Sequence, residues 1–172
     1  MKTCAACLVL VACSRAAEAI PATTAPLEID GELGEHDWSV RSLRRILTGP
    51  DGAPARPYSQ IQLLHDNVYL YVGLYAADEN IQSNEFFDLR LGSLALHANA
   101  TGTVTPVVAG VRVSIDRDGT LDDPSNDDEE WVLEIAIPLE AVTPGLWKIG
   151  RCDTPKDGIE RCGSWSSRIV FE

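Results

Sequence analysis

Positive charge, methionine and long apolar runs are all scarce in this chain. Fourteen Lys and Arg stand against 26 Asp and Glu, a formal net charge of −12 over 172 residues. A nucleic-acid partner needs a basic footprint, so nucleic acids and other polyanions are not expected partners. Catalytic signatures are missing too: there is no Gly-x-Ser-x-Gly elbow, no phosphate loop, no dinucleotide fingerprint and no His-Glu-x-x-His helix. His36, His65 and His97 stand far apart and read as surface or turn residues. No segment repeats at a period of 20–50 residues. At 45% hydrophobic residues, the chain is still able to bury one respectable core.

The N-terminus reads "MKTCAACLVLVACS". Lys2 precedes an apolar run, residues 5–12, that is far too short to span a bilayer but suits a secretory signal. Leu10-Val11-Ala12-Cys13 resembles the lipobox of bacterial lipoproteins, in which the cysteine receives lipid. The expectation is a signal peptide over residues 1–12, lipid on Cys13 and a membrane anchor. The protein is then an exported lipoprotein of the bacterial envelope, at the outer membrane. A plain signal peptide is the alternative. Residues 14–26, "SRAAEAIPATTAP", lack apolar periodicity and read with Cys13 as a tether. The folded domain is expected over 27–172.

Export bears on the remaining cysteines. Cys152 and Cys162 flank a Pro/Asp/Gly loop in "RCDTPKDGIERC" and read as a disulfide, since a metal site would need more ligands nearby.

The dominant period is two. In "SQIQLLHDNVYLYVGLYAAD" (59–78), Ile61 and Leu63 alternate, His65-Asp66-Asn67 makes a turn, and a second strand follows. There Val68, Leu70, Val72 and Leu74 face one way, and Tyr69, Tyr71, Gly73 and Tyr75 the other. "FFDLRLGSLALHAN", "GVRVSID", "LWKIGRC" and "GSWSSRIVF" supply further strands. Helix is expected only as a turn or two at 38–43 and 138–142, the latter opened by Pro138. Many short strands predict an all-β, antiparallel β-sandwich with one or two very short helices. In "EWVLEIAIPLEAV" (130–142), Trp131, Leu133, Ile135 and Ile137 form the dry set. Glu134 belongs to the other set and is expected to face solvent or a shallow groove. Trp38, Trp131 and Trp147 sit among apolar residues and read as core.

Four stretches, in order and spacing, resemble family 9 carbohydrate-binding modules and the wider DOMON-like, jelly-roll group. "IDGELGEHDW" (29–38) is similar to the family's opening, and "IQLLHDNVYLYVGLYAAD" (61–78) to its hairpin. "WVLEIAIPLEAV" (131–142) is similar to its late strand, and "LWKIGRC…GSWS" (146–166) to its ending. The resemblance covers about residues 27–168, and it makes Glu134 a scaffold glutamate. It implies a β-sandwich that binds sugars by stacking on aromatic faces with polar contacts from neighbouring strands.

Carried over residue by residue, the family's ligand strand matches Glu85-Phe86-Phe87-Asp88, with Asp88 in the place of a glutamate. The family's arginine falls on His97, followed by Asn99. The tryptophan preceding the ligand strand is replaced by the nearby Phe86, and the second stacking tryptophan has no counterpart before Glu172. Trp165 matches the "SWS" tryptophan, usually part of the fold, and is carried as a further candidate. The expected sugar site is Phe86, Asp88, His97, Asn99 and Trp165.

The family often holds structural calcium. In "DRDGTLDDPSNDDEE" (116–130), Asp116, Asp118, Asp122 and Asp123 offer hard oxygen ligands around Gly119, though without EF-hand spacing. The alternative is a solvated acidic loop. Some DOMON-like domains bind haem through methionine, but Met1 is the only methionine here and would leave with the signal peptide, so no haem is expected. The function expected from the resemblance is non-catalytic binding of an oligo- or polysaccharide. One alternative is an envelope interaction module with a degenerate sugar site. The other is a glycosidase or its accessory, which would require two facing carboxylates about 5–10 Å apart.

Overall fold

The structure is a computed structural model that describes residues 16–172. The lipobox and Cys13 lie outside the described residues. Alternating apolar residues build two sheets that close face to face on one core.

The described residues form eleven strands: β1 (Glu18–Ile20), β2 (Leu43–Ile46), β3 (Ser59–His65), β4 (Tyr69–Ala77), β5 (Phe86–Leu91), β6 (Leu94–Asn99), β7 (Val104–Thr105), β8 (Arg112–Asp118), β9 (Glu130–Pro138), β10 (Gly145–Asp153) and β11 (Arg161–Phe171). One sheet has six strands, ordered β1-β11-β10-β5-β6-β7, and the other five, ordered β2-β3-β4-β9-β8. Every pairing is antiparallel except β1 with β11. Among the described residues, helix is confined to α1 (His36–Val40) and a 3₁₀ turn at Leu139–Ala141. The chain is therefore an all-β sandwich. Among the described residues, no helix is long and apolar enough to cross a membrane.

Side chains of a strand point alternately to its two faces, and the sequence obeys that rule. Phe87, Leu89 and Leu91 of β5, with Trp147 and Ile149 of β10, meet Leu70, Val72 and Leu74 of β4 and Leu133, Ile135 and Ile137 of β9 in one buried cluster. At about 25 cal/mol per Å² of apolar surface, each such side chain stabilises the fold by roughly 1.5–3 kcal/mol relative to exposure.

Two expectations need correction. The tether reading of 14–26 gives way at Glu18–Ile20, which pairs in parallel with Ile169–Phe171. Ile20 enters the core fully buried. The sandwich thus begins before residue 27, because a three-residue strand needs only a free edge and one apolar anchor.

Glu134 does not face solvent. It stands on the outer face of the five-stranded sheet, but the chain before β2 folds over that face and buries it completely. A second apolar cluster of Leu27, Trp38, Leu64, Tyr71 and Ala136 fills the space beneath this cover. Glu134 Oε2 accepts from the backbone N–H of Asp30 and Gly31, both at 3.0 Å, and Oε1 accepts from Trp38 Nε1 at 2.8 Å. Gly31 has φ +102°, and a Cβ there would lie 2.7 Å from the carbonyl carbon of Ile115, so glycine is needed twice over. Gly73 on β4 admits the same cover, since its Cβ would sit 2.6 Å from Leu33 Cδ2.

Candidate functional site

The outer face of the six-stranded sheet is not covered in this way. Its residues form transverse rows, because β6, β5, β10 and β11 pair in fixed register. One row reads Asn99, Phe86, Cys152, Cys162. The next reads His97, Asp88, Gly150, Ser164, and the third Ala95, Arg90, Lys148, Ser166. Gly150 carries no side chain, so the middle row dips at its centre.

The dip is the floor of a groove of about 430 Å³, a size that falls within the usual range for small-molecule sites. Phe86 and Asp88 of β5 line one side, Lys148 stands on the floor strand β10, and Thr48, Gly49 and Pro50 line the other side. That second wall is docked on β11 by a reciprocal pair of backbone hydrogen bonds between Thr48 and Ser164, at 3.1 and 2.9 Å. The disulfide Cys152–Cys162 forms as expected and closes one end.

Phe86, Asp88 and His97, which the resemblance matched to the ligand strands, lie together on this face. Phe86 is 42% exposed, unusual for a large aromatic side chain on a strand. Its ring stands edge-on to His97 with centroids 5.0 Å apart. Asp88 Oδ1 lies 3.6 Å from His97 Nδ1, and Arg90 Nε donates to Asp88 Oδ2 at 3.3 Å. A flat apolar ring beside a carboxylate, an imidazole and a guanidinium can meet a sugar's C–H face and its hydroxyls together.

The other two candidates are placed differently from one another. Asn99 lies on the same face, but its Oδ1 accepts from Thr101 N, Thr101 Oγ1 and Thr103 N at 3.2, 2.7 and 2.9 Å and ties the β6–β7 turn. Trp165 must be removed from the site. Alternation along β11 turns it inward opposite Ile149, 8% exposed within the core. Sequence reasoning missed Gly150, Lys148 and the 48–50 wall. The signal for the first two was present in "LWKIGRC", whose outward positions are Leu146, Lys148, Gly150 and Cys152, but register with β5 cannot be read locally.

Beneath the groove lies a buried ionic cluster. Arg151 Nη2 donates to Asp78 Oδ2 and Asp153 Oδ1 at 2.6 Å and to Glu85 Oε2 at 3.1 Å. Trp131 Nε1 also donates to Asp78 Oδ2, at 3.1 Å, and the guanidinium lies 5.5 Å from the Trp131 ring centroid. Burial, together with hydrogen bonds from Glu85 to Asp78 and Asp153, holds the Glu85 carboxyl far above the usual carboxylate range. A protonated Glu85 lets three acids share one cation.

This cluster bears on calcium. The structure does not gather Asp116, Asp118, Asp122 and Asp123. Asp116 and Asp118 lie on the outer side of β8, opposite Val132 and Glu130. Asp122 Oδ1 accepts from Ser83 N at 2.8 Å, and Asp123 Oδ1 accepts from Ser125 N at 3.0 Å. Among the described residues, three buried acids converge only at Asp78, Glu85 and Asp153. Arg151 already occupies the cation's position there, so that set fits a guanidinium and not calcium.

No family model matches the sequence, and no curated protein matches it. Solved structures do. A family 9 carbohydrate-binding module from Caldicellulosiruptor kristjanssonii, in complex with cellotriose, superposes with a TM-score of 0.61 at 14% identity, covering 90% of this chain and 94% of that one. A family 9 module of the same organism in complex with glucose gives 0.59 at 14% identity, covering 90% and 96%. At such identity the likeness is one of fold, and in fold this chain is similar to family 9 carbohydrate-binding modules.

Proposed function

We propose that the chain is a non-catalytic carbohydrate-binding module that takes a sugar in the groove over Gly150. The observation that carries this reading is the exposed Phe86 ring standing beside Asp88 and His97 at the rim of that groove. The fold likeness to modules in complex with cellotriose and glucose supports it. Hydrolysis is not supported, since the groove lining contains a single carboxylate, Asp88, where a glycosidase needs a facing pair. The anchor proposed at Cys13 would hold the module at the bacterial envelope.

A glycan array probed with the protein tests the reading. The protein should retain a defined set of oligosaccharides, and Gly150→Leu, which fills the floor, should lose them without losing its fold. An array with no retained glycan returns the chain to the interaction-module alternative.

A further inference from the structure

The third row of the outer face carries a charge pattern opposite to that of the chain. On the outward positions of β5, β10 and β11 stand one carboxylate, Asp88, and three cations, Arg90, Lys148 and Arg168. Arg90 and Lys148 are direct partners across β5 and β10. Arg168 pairs with Leu146, one step diagonal to Lys148. Like charges directly opposite in a sheet repel, so such a pair calls for an anion. Of these three cations, Asp88 pairs with Arg90. Lys148 and Arg168 form no ion pair among the described residues. Lys148 also lines the groove, as Phe86 and Asp88 do, from the strand that carries Gly150.

Resting on the sugar-binding reading, we infer that the ligand of this groove is an acidic sugar, a hexuronate or a sulfated hexose. Its anionic group lies against Lys148 and Arg90, with Arg168 beyond, and its ring lies over Gly150 beside Phe86. Asp88 and His97 then face hydroxyls on the other side of the ring. The net charge of −12 does not oppose this at contact distance, since salt of about 0.1 M screens exposed charges beyond roughly 10 Å. A further acid near the groove, Glu160, lies by the disulfide at the opposite end.

Calorimetric titration of the whole protein with matched sugars decides the matter: glucose against glucuronate, galactose against galacturonate and against galactose 6-sulfate, each at low and moderate ionic strength. The acidic member should bind about tenfold tighter or more, as one charge-assisted contact allows. The preference should shrink with salt, collapse in Arg90→Gln/Lys148→Gln and survive in Lys148→Arg. Preference for galacturonate over the sulfate would identify a uronate, and the reverse a sulfated sugar. Equal or tighter binding of the neutral partners overturns the inference and leaves the sugar-binding reading intact. A double variant that keeps the preference overturns it too. If no sugar of either kind binds, both readings fall together.

Discussion

Trp38 donates its indole N–H to Glu134 across 2.8 Å, joining residues 96 positions apart in sequence. The bond pins the N-terminal cover to the five-stranded sheet, on the side of the molecule away from the groove. Burial pushes the Glu134 carboxyl up to about 7, against three donors that favour its ionised form. Between about 4.5 and 7 the unfolded chain therefore releases a proton that the folded chain keeps. The stability linked to this proton is fully present below about 4.5 and is lost as pH rises through 7.

Glu134→Gln must aim its amide N–H₂ at another donor. At pH 5 it should lose about 1–3 kcal/mol, the cost of an unmatched buried polar group. The gap to wild type should narrow toward pH 8. Chemical denaturation across that range checks both statements, and a variant as stable as wild type at pH 5 would contradict them.

The cluster under the groove behaves differently. Arg151→Met leaves buried acids without their cation and should cost about 3–5 kcal/mol. Glu85→Gln keeps a neutral group where the protonated acid stood and should cost little. Since the folded Glu85 holds its proton well above the ordinary range, wild-type stability should also decline as pH rises above the unfolded value, and Glu85→Gln should flatten that decline. Paired denaturation curves would show it.

Cys152 and Cys162 are direct partners on β10 and β11, separated by ten positions. On the chain-entropy model a loop of that size is worth about 2–3 kcal/mol. Thiol titration without reductant should find neither cysteine, and reduction should lower the melting midpoint accordingly. Two reactive thiols in the oxidised protein would refute the pairing.

Anchoring is tested apart from the fold. Labelled fatty acid should enter the wild-type protein in a bacterial host and not Cys13→Ser. Label retained in the variant would remove the lipid proposal. Firm attachment needs more than one acyl chain.

Much of the sandwich was legible because alternation alone assigns faces. Trp131, Leu133, Ile135 and Ile137 point inward as their spacing requires. So do Leu70, Val72 and Leu74. Phe86, Asp88 and His97 were named through the family resemblance, and the β5–β6 hairpin, with Asp88 opposite His97, places them side by side. What failed was non-local. The burial of Glu134 depends on a cover from residues 27–42, and the strand at Glu18–Ile20 on a free edge of β11. Trp165 misled because a motif match does not state a face, whereas its neighbours Ser164 and Ser166 mark the outward positions. Lys148 and Gly150 joined the site only through pairing with a strand more than fifty residues earlier.

The central claim is that a sugar binds on the outer face of the six-stranded sheet. Its most direct test is calorimetric titration of wild type, Asp88→Ala and Glu134→Gln with one retained glycan, alongside a melting curve for each. Asp88 lies half-exposed at the groove and Glu134 lies buried on the far sheet. Asp88→Ala should therefore weaken binding about tenfold or more, matching the roughly 1–3 kcal/mol of an unpaired hydroxyl contact, with little change in melting. Glu134→Gln should lower the melting midpoint and leave affinity unchanged. Binding that survives Asp88→Ala and disappears in a folded Glu134→Gln would contradict the account.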